Sequence, residues 1–191
     1  MAAGWGIVSA CRFQFMLDGT FLANLLGLPV AAPTGSIMIE VLPSEQRSAR
    51  MAAVRQRDTK PERMVRSLLH RAGFRFRLTD RRLPGSPDIV LPRWRVAVFV
   101  NGCFWHGHDC HLYRLPATRT EFWRAKAIAN VERDERVVRE LHSGGWRTIT
   151  VWQCALKGKT RLIPSELAAA LVAAVNCNTP HVDLRGIRLK T

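Results

Sequence analysis

Apolar residues recur every three or four positions after Thr59, which predicts an amphipathic helix. Thr59 can cap this helix, Pro61 suits its first turn, Glu62 sits at the capping-box position and Gly73 ends it. Two later segments predict further helices for the same reasons. They run from Thr118 to about residue 142 and over residues 164–176.

Four segments have the patterns of strands. Residues 74–78 alternate with a period of two, as in a half-buried strand, and residues 88–91 follow a Pro-Gly turn. Residues 96–100 are continuously apolar, which favours a central strand covered on both faces, and residues 146–152 are rich in branched and aromatic side chains. The order of elements predicts an α/β fold with a mixed β-sheet flanked by helices.

The first 37 residues differ from the rest because they carry one Arg and one Asp and are otherwise apolar and rich in Gly. We predict a poorly ordered extension over residues 1–37, with Met38 as the more natural start, a domain over residues 38–177 and a tail over residues 178–191. The extension lacks the basic start of a signal peptide and an apolar run of membrane-spanning length. These features favour a cytoplasmic protein with no membrane partner.

The positive net charge of the chain indicates which class of molecule it binds. The chain has 29 Lys and Arg against 15 Asp and Glu, a formal net charge of +14. Residues 51–100 hold twelve of the basic residues and four of the acids. Such a domain most often binds nucleic acid, with an anionic membrane or a merely soluble basic surface as the alternatives.

A dense group of metal-ligating residue types follows the apolar strand. Cys103, His108, Cys110 and the later Cys154 would supply three sulfurs and one imidazole, a closed tetrahedral set for a structural zinc ion. The alternatives are a disulfide or reduced core cysteines. The odd number of cysteines, five, argues against a disulfide framework, and a disulfide would not explain the histidines. His106 is then spare, and it is a candidate acid or base.

Asp88 is the candidate ligand for a second metal. A carboxylate at the start of a strand can hold Mg²⁺ against a phosphate, and the alternative is an aspartate that caps a turn. A Pro-Asp pair followed by a second strand resembles nucleases of the PD-(D/E)xK class. The second strand here reads Phe99-Val100-Asn101 and carries neither the acid nor the lysine of that class.

Six segments in fixed order make the resemblance specific. They are Asp58–Glu62, Leu83–Val90, Phe99–Cys110, Pro116–Trp123, Asn130–Asp134 and Val151–Leu156. Together they are similar to the Vsr family, the very-short-patch-repair mismatch endonucleases, over roughly residues 38–157. The string Gly-Cys-Phe-Trp-His is the most specific part. The resemblance implies a restriction-endonuclease-like fold, related to the PD-(D/E)xK nucleases, with a structural zinc site.

The resemblance also implies roles for individual residues. Asp88 and the backbone carbonyl of Val100 would hold catalytic Mg²⁺, and a carbonyl does not depend on the side chain at a position where the family commonly has Thr. His106 would act on the attacking water, with Glu62 contacting the water shell and Asp134 orienting the imidazole. For Glu62 and Asp134 the alternatives are a helix cap and a solvated helix charge.

Other residues are assigned to DNA. Family members often have His at position 101, and Asn101 is assigned to DNA contact while His106 alone keeps the role of base. Arg75 and Arg77 are expected to contact phosphates. Three rings are expected to wedge between base pairs, with core packing as the alternative: Phe104, Trp105 and Trp123.

The function implied is a strand-specific DNA endonuclease that nicks 5′ of the T in T·G mispairs, which arise when 5-methylcytosine deaminates. Its partners would be double-stranded DNA containing the mismatch and mismatch-repair proteins of the MutL type, and the protein would be a monomer. The alternatives are a zinc-stabilised DNA-binding module without catalysis and a restriction-type endonuclease.

Overall fold

A computed structural model describes residues 57–187, and the predicted N-terminal extension over residues 1–37 and the predicted start at Met38 lie outside this range. The helices and strands of the described part follow in chain order. They are α1 (Lys60–Arg71), β1 (Arg77–Leu78), β2 (Ile89–Leu91), β3 (Val96–Asn101), α2 (Thr120–Ser143), β4 (Arg147–Trp152), α3 (Gln153–Leu156), α4 (Pro164–Asn176) and β5 (His181–Leu184).

The five strands form one sheet in the order β1-β2-β3-β4-β5. The pairs β1–β2 and β2–β3 are antiparallel, whereas β3–β4 and β4–β5 are parallel. The mixed α/β fold predicted from the sequence is therefore confirmed. None of the described helices is both long enough and apolar enough to span a bilayer.

The alternation of side chains along β3 and β4 separates the two faces of the sheet. Val98 and Val151 belong to the main hydrophobic core, to which α1 contributes Leu69 and α4 contributes Leu171. The opposite face of β4 carries the buried Thr148, which is hydrogen-bonded to His142 of α2. The sheet is thus covered by α1 and α4 on one side and by α2 on the other.

Two predicted boundaries are wrong. The first strand covers residues 77–78 rather than 74–78, because Phe74 turns inward and packs edge-on against Trp94 with ring centroids 5.0 Å apart. Helix α2 begins at Thr120, with Arg119 in the cap position at φ 55°, rather than at a capping box opened by Thr118. The Thr120 hydroxyl instead donates to the carbonyl of Pro116.

Strand β5 was not predicted. It lies within residues 178–191, where the sequence is weakly patterned, and all four of its residues are half-buried. It pairs in parallel with β4, so that His181 lies opposite Thr148 and Leu184 lies opposite Val151. Residues after 178 therefore complete the sheet.

Candidate active site and metal centre

The candidate residues gather where β3 and β4 end. Because these strands are parallel and in register, Asn101 and Trp152 lie side by side at the same edge of the sheet. The loop that follows β3 carries His106 and His108, and the short helix that follows β4 carries Cys154. Parallel strand pairing thus joins two segments that lie about fifty residues apart in the sequence.

The four residues predicted to bind metal form one cluster. Their ligand atoms all lie within 4.8 Å of one another. Cys103, His108 and Cys154 are buried, whereas Cys110 is half-buried. Nδ1 of His108 lies 3.7 Å from the sulfur of Cys154. The cluster could hold a metal ion.

The chemistry of the cluster fits a thiolate-bound ion. The main-chain N–H of Leu112 donates to Sγ of Cys110, and the N–H of Gly186 donates to Sγ of Cys154, both at 3.4 Å. Hydrogen bonding with Cys103 lowers the pKa of Cys154 to about 3, with further lowering from His108 and Gly186. Thiolates are the form of cysteine that binds metals. Four protein ligands leave no coordination position for water, as in structural sites.

Asp88 stands beside β3, at the entrance to β2. Its Oδ2 accepts a 2.8 Å hydrogen bond from the main-chain N–H of Val100. Burial, with a smaller contribution from the charge of Glu62, raises the pKa of Asp88 to about 6 against the opposing effects of the Val100 N–H, Arg66 and His106. Asp88, Glu62 and His106 therefore share one electrostatic environment. A half-buried carboxylate with a second acid beside it is a natural place for a cation.

Glu62 reaches this environment from α1 and is 4% exposed. Arg66, one turn further along the helix, places its Nη2 2.6 Å from Oε2 of Glu62. The Arg66 side chain is 14% exposed, so this is a buried ion pair rather than a surface one. Sequence reasoning missed Arg66, because an acid and a base four positions apart on a helix are equally common on exposed faces.

His106 is fixed by α2. Its Nδ1 is hydrogen-bonded to Oδ2 of Asp134, and Arg133 donates to the other oxygen of Asp134 at 2.9 Å. Burial raises the pKa of Asp134, but the hydrogen bond and charge of His106, together with Arg133, outweigh burial and leave that pKa below its ordinary value. Asp134 is thus an anion that holds Nδ1 of the imidazole and leaves Nε2 to exchange a proton.

The three rings assigned to DNA form an aromatic cluster. Phe104 lies 5.2 Å from Trp105 and 5.4 Å from Trp123 between ring centroids, and the two indoles lie 6.0 Å apart. All three are half-buried rather than enclosed in the core. Asn130 of α2 donates to the main-chain carbonyl of Trp105 at 2.7 Å.

One face of α2 serves both the aromatic cluster and the imidazole. Trp123, Ala127, Asn130 and Asp134 are spaced by four, three and four residues, which places them on one side of a helix. Trp123 belongs to the aromatic cluster, Asn130 bonds to Trp105, and Asp134 bonds to His106. The helix therefore fixes the separation between the rings and the candidate base.

The remaining candidates lie at the sheet. Asn101 is the last residue of β3 and is half-buried. Arg75 and Arg77 are exposed near the antiparallel edge, and Arg77 also lines an open groove with Arg82 and Trp146. An exposed guanidinium is suited to a phosphate contact, whereas Asn101 lies next to the metal cluster.

Comparison with known proteins identifies relatives of this chain. The family model described as DNA mismatch endonuclease Vsr matches residues 39–112. The chain is 43% identical over 155 residues to the DNA mismatch endonuclease Vsr of Escherichia coli (strain K12), covering 80% of this chain and 99% of that protein. It is 50% identical over 119 residues to the type II nicking enzyme V.XorIIP of Xanthomonas oryzae pv. oryzae, covering 62% of this chain and 88% of that enzyme.

A third relative is the type II nicking enzyme V.NmeAIP of Neisseria meningitidis serogroup A, which is 42% identical over 122 residues. The match to it covers 64% of this chain and 87% of that enzyme. The shared stretches take in nearly the whole length of the Escherichia coli protein, so the likeness is not confined to one motif. The chain therefore belongs to the Vsr family of DNA mismatch endonucleases.

Proposed function

We propose that this protein is a strand-specific DNA endonuclease that nicks 5′ of the T in T·G mispairs produced by deamination of 5-methylcytosine. The observation that carries the proposal is the convergence of Asp88, Glu62 and His106 at the edge of the sheet that also bears the metal cluster. A DNA-binding module without catalysis does not need two carboxylates and an imidazole brought together in this way.

Two metals fit the residues present. Zn²⁺ would be held by the Cys103, His108, Cys110 and Cys154 cluster and would stabilise the loop that carries His106. Mg²⁺ would be held by Asp88 and the carbonyl of Val100. When bound, it would stabilise charge on the phosphate and make water a better nucleophile at neutral pH.

The protein's own groups then supply proton transfer. Nε2 of His106 accepts a proton from the water that attacks phosphorus, while Asp134 stabilises the imidazolium that forms. The water oxygen bonds to phosphorus as the bond from phosphorus to the leaving sugar oxygen breaks, and the leaving oxygen takes a proton from solvent water to become a hydroxyl. Arg66 holds the carboxylate of Glu62 in place. Glu62 would therefore orient the water molecules around a bound Mg²⁺.

Selection of the mismatch is assigned to the aromatic cluster. A ring inserted between base pairs must unstack them, which costs a few kcal/mol per step. A mismatched pair is easier to disrupt than a Watson–Crick pair, so insertion favours the mismatch. Phosphate contacts by Arg75 and Arg77 would add affinity without sequence preference, and Asn101 would contact DNA beside the rings.

The localisation, partners and oligomeric state are proposed from membership of the Vsr family. We expect a cytoplasmic monomer that acts on double-stranded DNA and is supported by mismatch-repair proteins of the MutL type. The high positive charge suits association with DNA, and it makes binding dependent on salt.

The experiment that tests the proposal is a nicking assay with Mg²⁺ on matched, T·G and C·A duplexes. The expected result is a single cut 5′ of T in the T·G duplex, which is lost in Asp88→Ala while mismatch binding persists. Cutting of both strands of matched DNA would favour a restriction-type endonuclease. Binding without cutting, with Mg²⁺ present and zinc loaded, would favour a module without catalysis.

A further inference from the structure

We propose that Trp152 is a positioning residue that joins the imidazole of His106 to the four-residue metal cluster, so that the cluster fixes the geometry of the base. This inference rests on the proposed function, because it gives His106 the role of base. Trp152 lies in the sequence between an apolar strand and a metal ligand, where a tryptophan is usually a core residue.

The indole of Trp152 contacts two imidazoles of the loop, those of His106 and His108. Its ring stacks on His108 with centroids 4.0 Å apart and planes 11° apart. The same indole meets His106 edge-on, with centroids 6.3 Å apart and planes 77° apart. One rigid ring therefore touches a metal ligand with its face and lies against the candidate base.

The indole is itself anchored on the strand next to it. Its Nε1–H donates to Oδ1 of Asp183 at 2.9 Å. Asp183 belongs to β5, and its other oxygen lies 3.5 Å from Nε2 of His181 and 3.6 Å from Nη2 of Arg185. The N–H bond fixes the rotation of the indole, which packing in an apolar core would not require.

His106 needs this support because a single hydrogen bond does not define an imidazole plane. Asp134 holds Nδ1, but the ring can still tilt about that bond. Proton transfer requires groups held within roughly 0.5 Å and 10–20° of the productive geometry. Asp134 on one side and Trp152 on the other restrict the tilt. Loss of Trp152 should therefore slow the chemical step and leave DNA binding intact.

The test compares Trp152→Leu with Trp152→Phe, which keeps a flat ring, and with Trp146→Leu as a matched control. Trp146 is also half-buried, but it precedes β4 and faces Arg95 at the other end of the strand. Zinc content, binding to a T·G duplex and the single-turnover nicking rate are measured for each. We expect Trp152→Leu to slow nicking by about tenfold to a hundredfold, as a misplacement of about 1 Å can do. Trp152→Phe should recover most of the rate, and Trp146→Leu should slow the single-turnover nicking rate far less than Trp152→Leu does.

A readout that does not depend on activity is the ¹⁵N spectrum of the histidine side chains in the protein without DNA. Trp152→Leu should move the signals of His106 and leave those of the exposed His70 unchanged. Unchanged signals of His106, or a nicking rate equal to that of the parent, would overturn the inference. Loss of zinc together with the rate would also overturn it, since Trp152 would then only support the metal. If Trp152→Leu does not fold, Asp183→Ala removes the anchor of the indole and should give the same split between rate and binding.

The proposed function is tested separately by His106→Ala. If His106→Ala nicks like the parent, the assignment of the base fails whatever Trp152 does. If His106→Ala is inactive while Trp152→Leu is fully active, the proposed function stands and the inference about Trp152 fails.

Discussion

Replacing Asp88 by Asn should abolish nicking and, in the absence of Mg²⁺, should make the protein more stable. The amide oxygen of Asn can still accept the hydrogen bond that the Val100 N–H gives to Oδ2 of Asp88. What the substitution removes is a half-buried negative charge close to Glu62. The substitution thus replaces the Asp88 carboxylate, which catalysis needs but which destabilises the fold, by a neutral side chain of nearly the same shape.

The magnitude follows from the pKa. Burial raises the pKa of Asp88 from 3.8 to about 6, so the folded state disfavours the carboxylate. At ~1.4 kcal/mol per pKa unit this corresponds to about 3 kcal/mol of lost folding free energy. Relaxation around the side chain reduces it, and we expect about 1–2 kcal/mol, or ~2–8 °C in melting temperature for a chain of this size. The destabilisation caused by the Asp88 carboxylate has its full value above pH 6, becomes smaller as pH falls towards 3.8 and is absent below that value.

The assay is thermal unfolding of the parent and of Asp88→Asn at pH 7.5 and at pH 5, in magnesium-free buffer with zinc retained. The Asn variant should melt higher at pH 7.5, and the gap should narrow at pH 5. Added Mg²⁺ should raise the melting temperature of the parent alone. Glu132→Gln, at an exposed carboxylate of α2, is the control for the change in net charge. A variant that melts at or below the parent at pH 7.5, or a gap that does not depend on pH, would refute the reasoning.

Four further predictions concern metal, DNA and pH. Cys154→Ser should lose the one zinc expected per chain and unfold at lower temperature, whereas unchanged metal content would exclude the cluster as the zinc site. Trp105→Ala should weaken binding to a T·G duplex more than to a matched duplex, by about 1–3 kcal/mol, and equal losses would identify a core residue. Arg75→Ala should weaken both duplexes alike and reduce the salt slope by about one. Burial and the charge of His181 lower the pKa of His142, so stability should fall as pH drops below 6.5, and His142→Gln should lessen that fall in acid melting curves.

The sequence predicted best where a pattern has a single physical cause. The apolar period of α1 and the branched residues of β4 identify buried faces, and both elements occur close to the predicted bounds. The spacing of two cysteines around His108, with a third cysteine after β4, predicted a group that the structure brings together. Ligand chemistry restricts such groups strongly, so distant residues can be paired from composition alone.

The sequence predicted poorly where burial decides the role. Strand β5 is only four residues long, and its polar residues His181 and Asp183 bond to side chains of β4, so its alternation is too short to be identified from the sequence. In the sequence Arg66 resembles a surface residue, whereas in the structure its ion pair with Glu62 is largely buried. Trp152 resembles a core residue until the strand register sets it beside His108. For β5 and Trp152 the partner comes from an element that local sequence does not identify, and for Arg66 it is the burial of the pair that local sequence does not show.

The single face of α2 has a consequence for which changes in length the gene can tolerate. A helix turns by about 100° per residue. One residue inserted between Asn130 and Asp134 would therefore rotate every later residue of α2 by about 100° around the helix axis. Trp123 would stay at the aromatic cluster, but Asp134 would point away from His106. Loops between elements usually absorb insertions and deletions without such an effect. Length variation among functional descendants of this chain should therefore spare the twelve positions from Trp123 to Asp134, whatever happens to the loops around them.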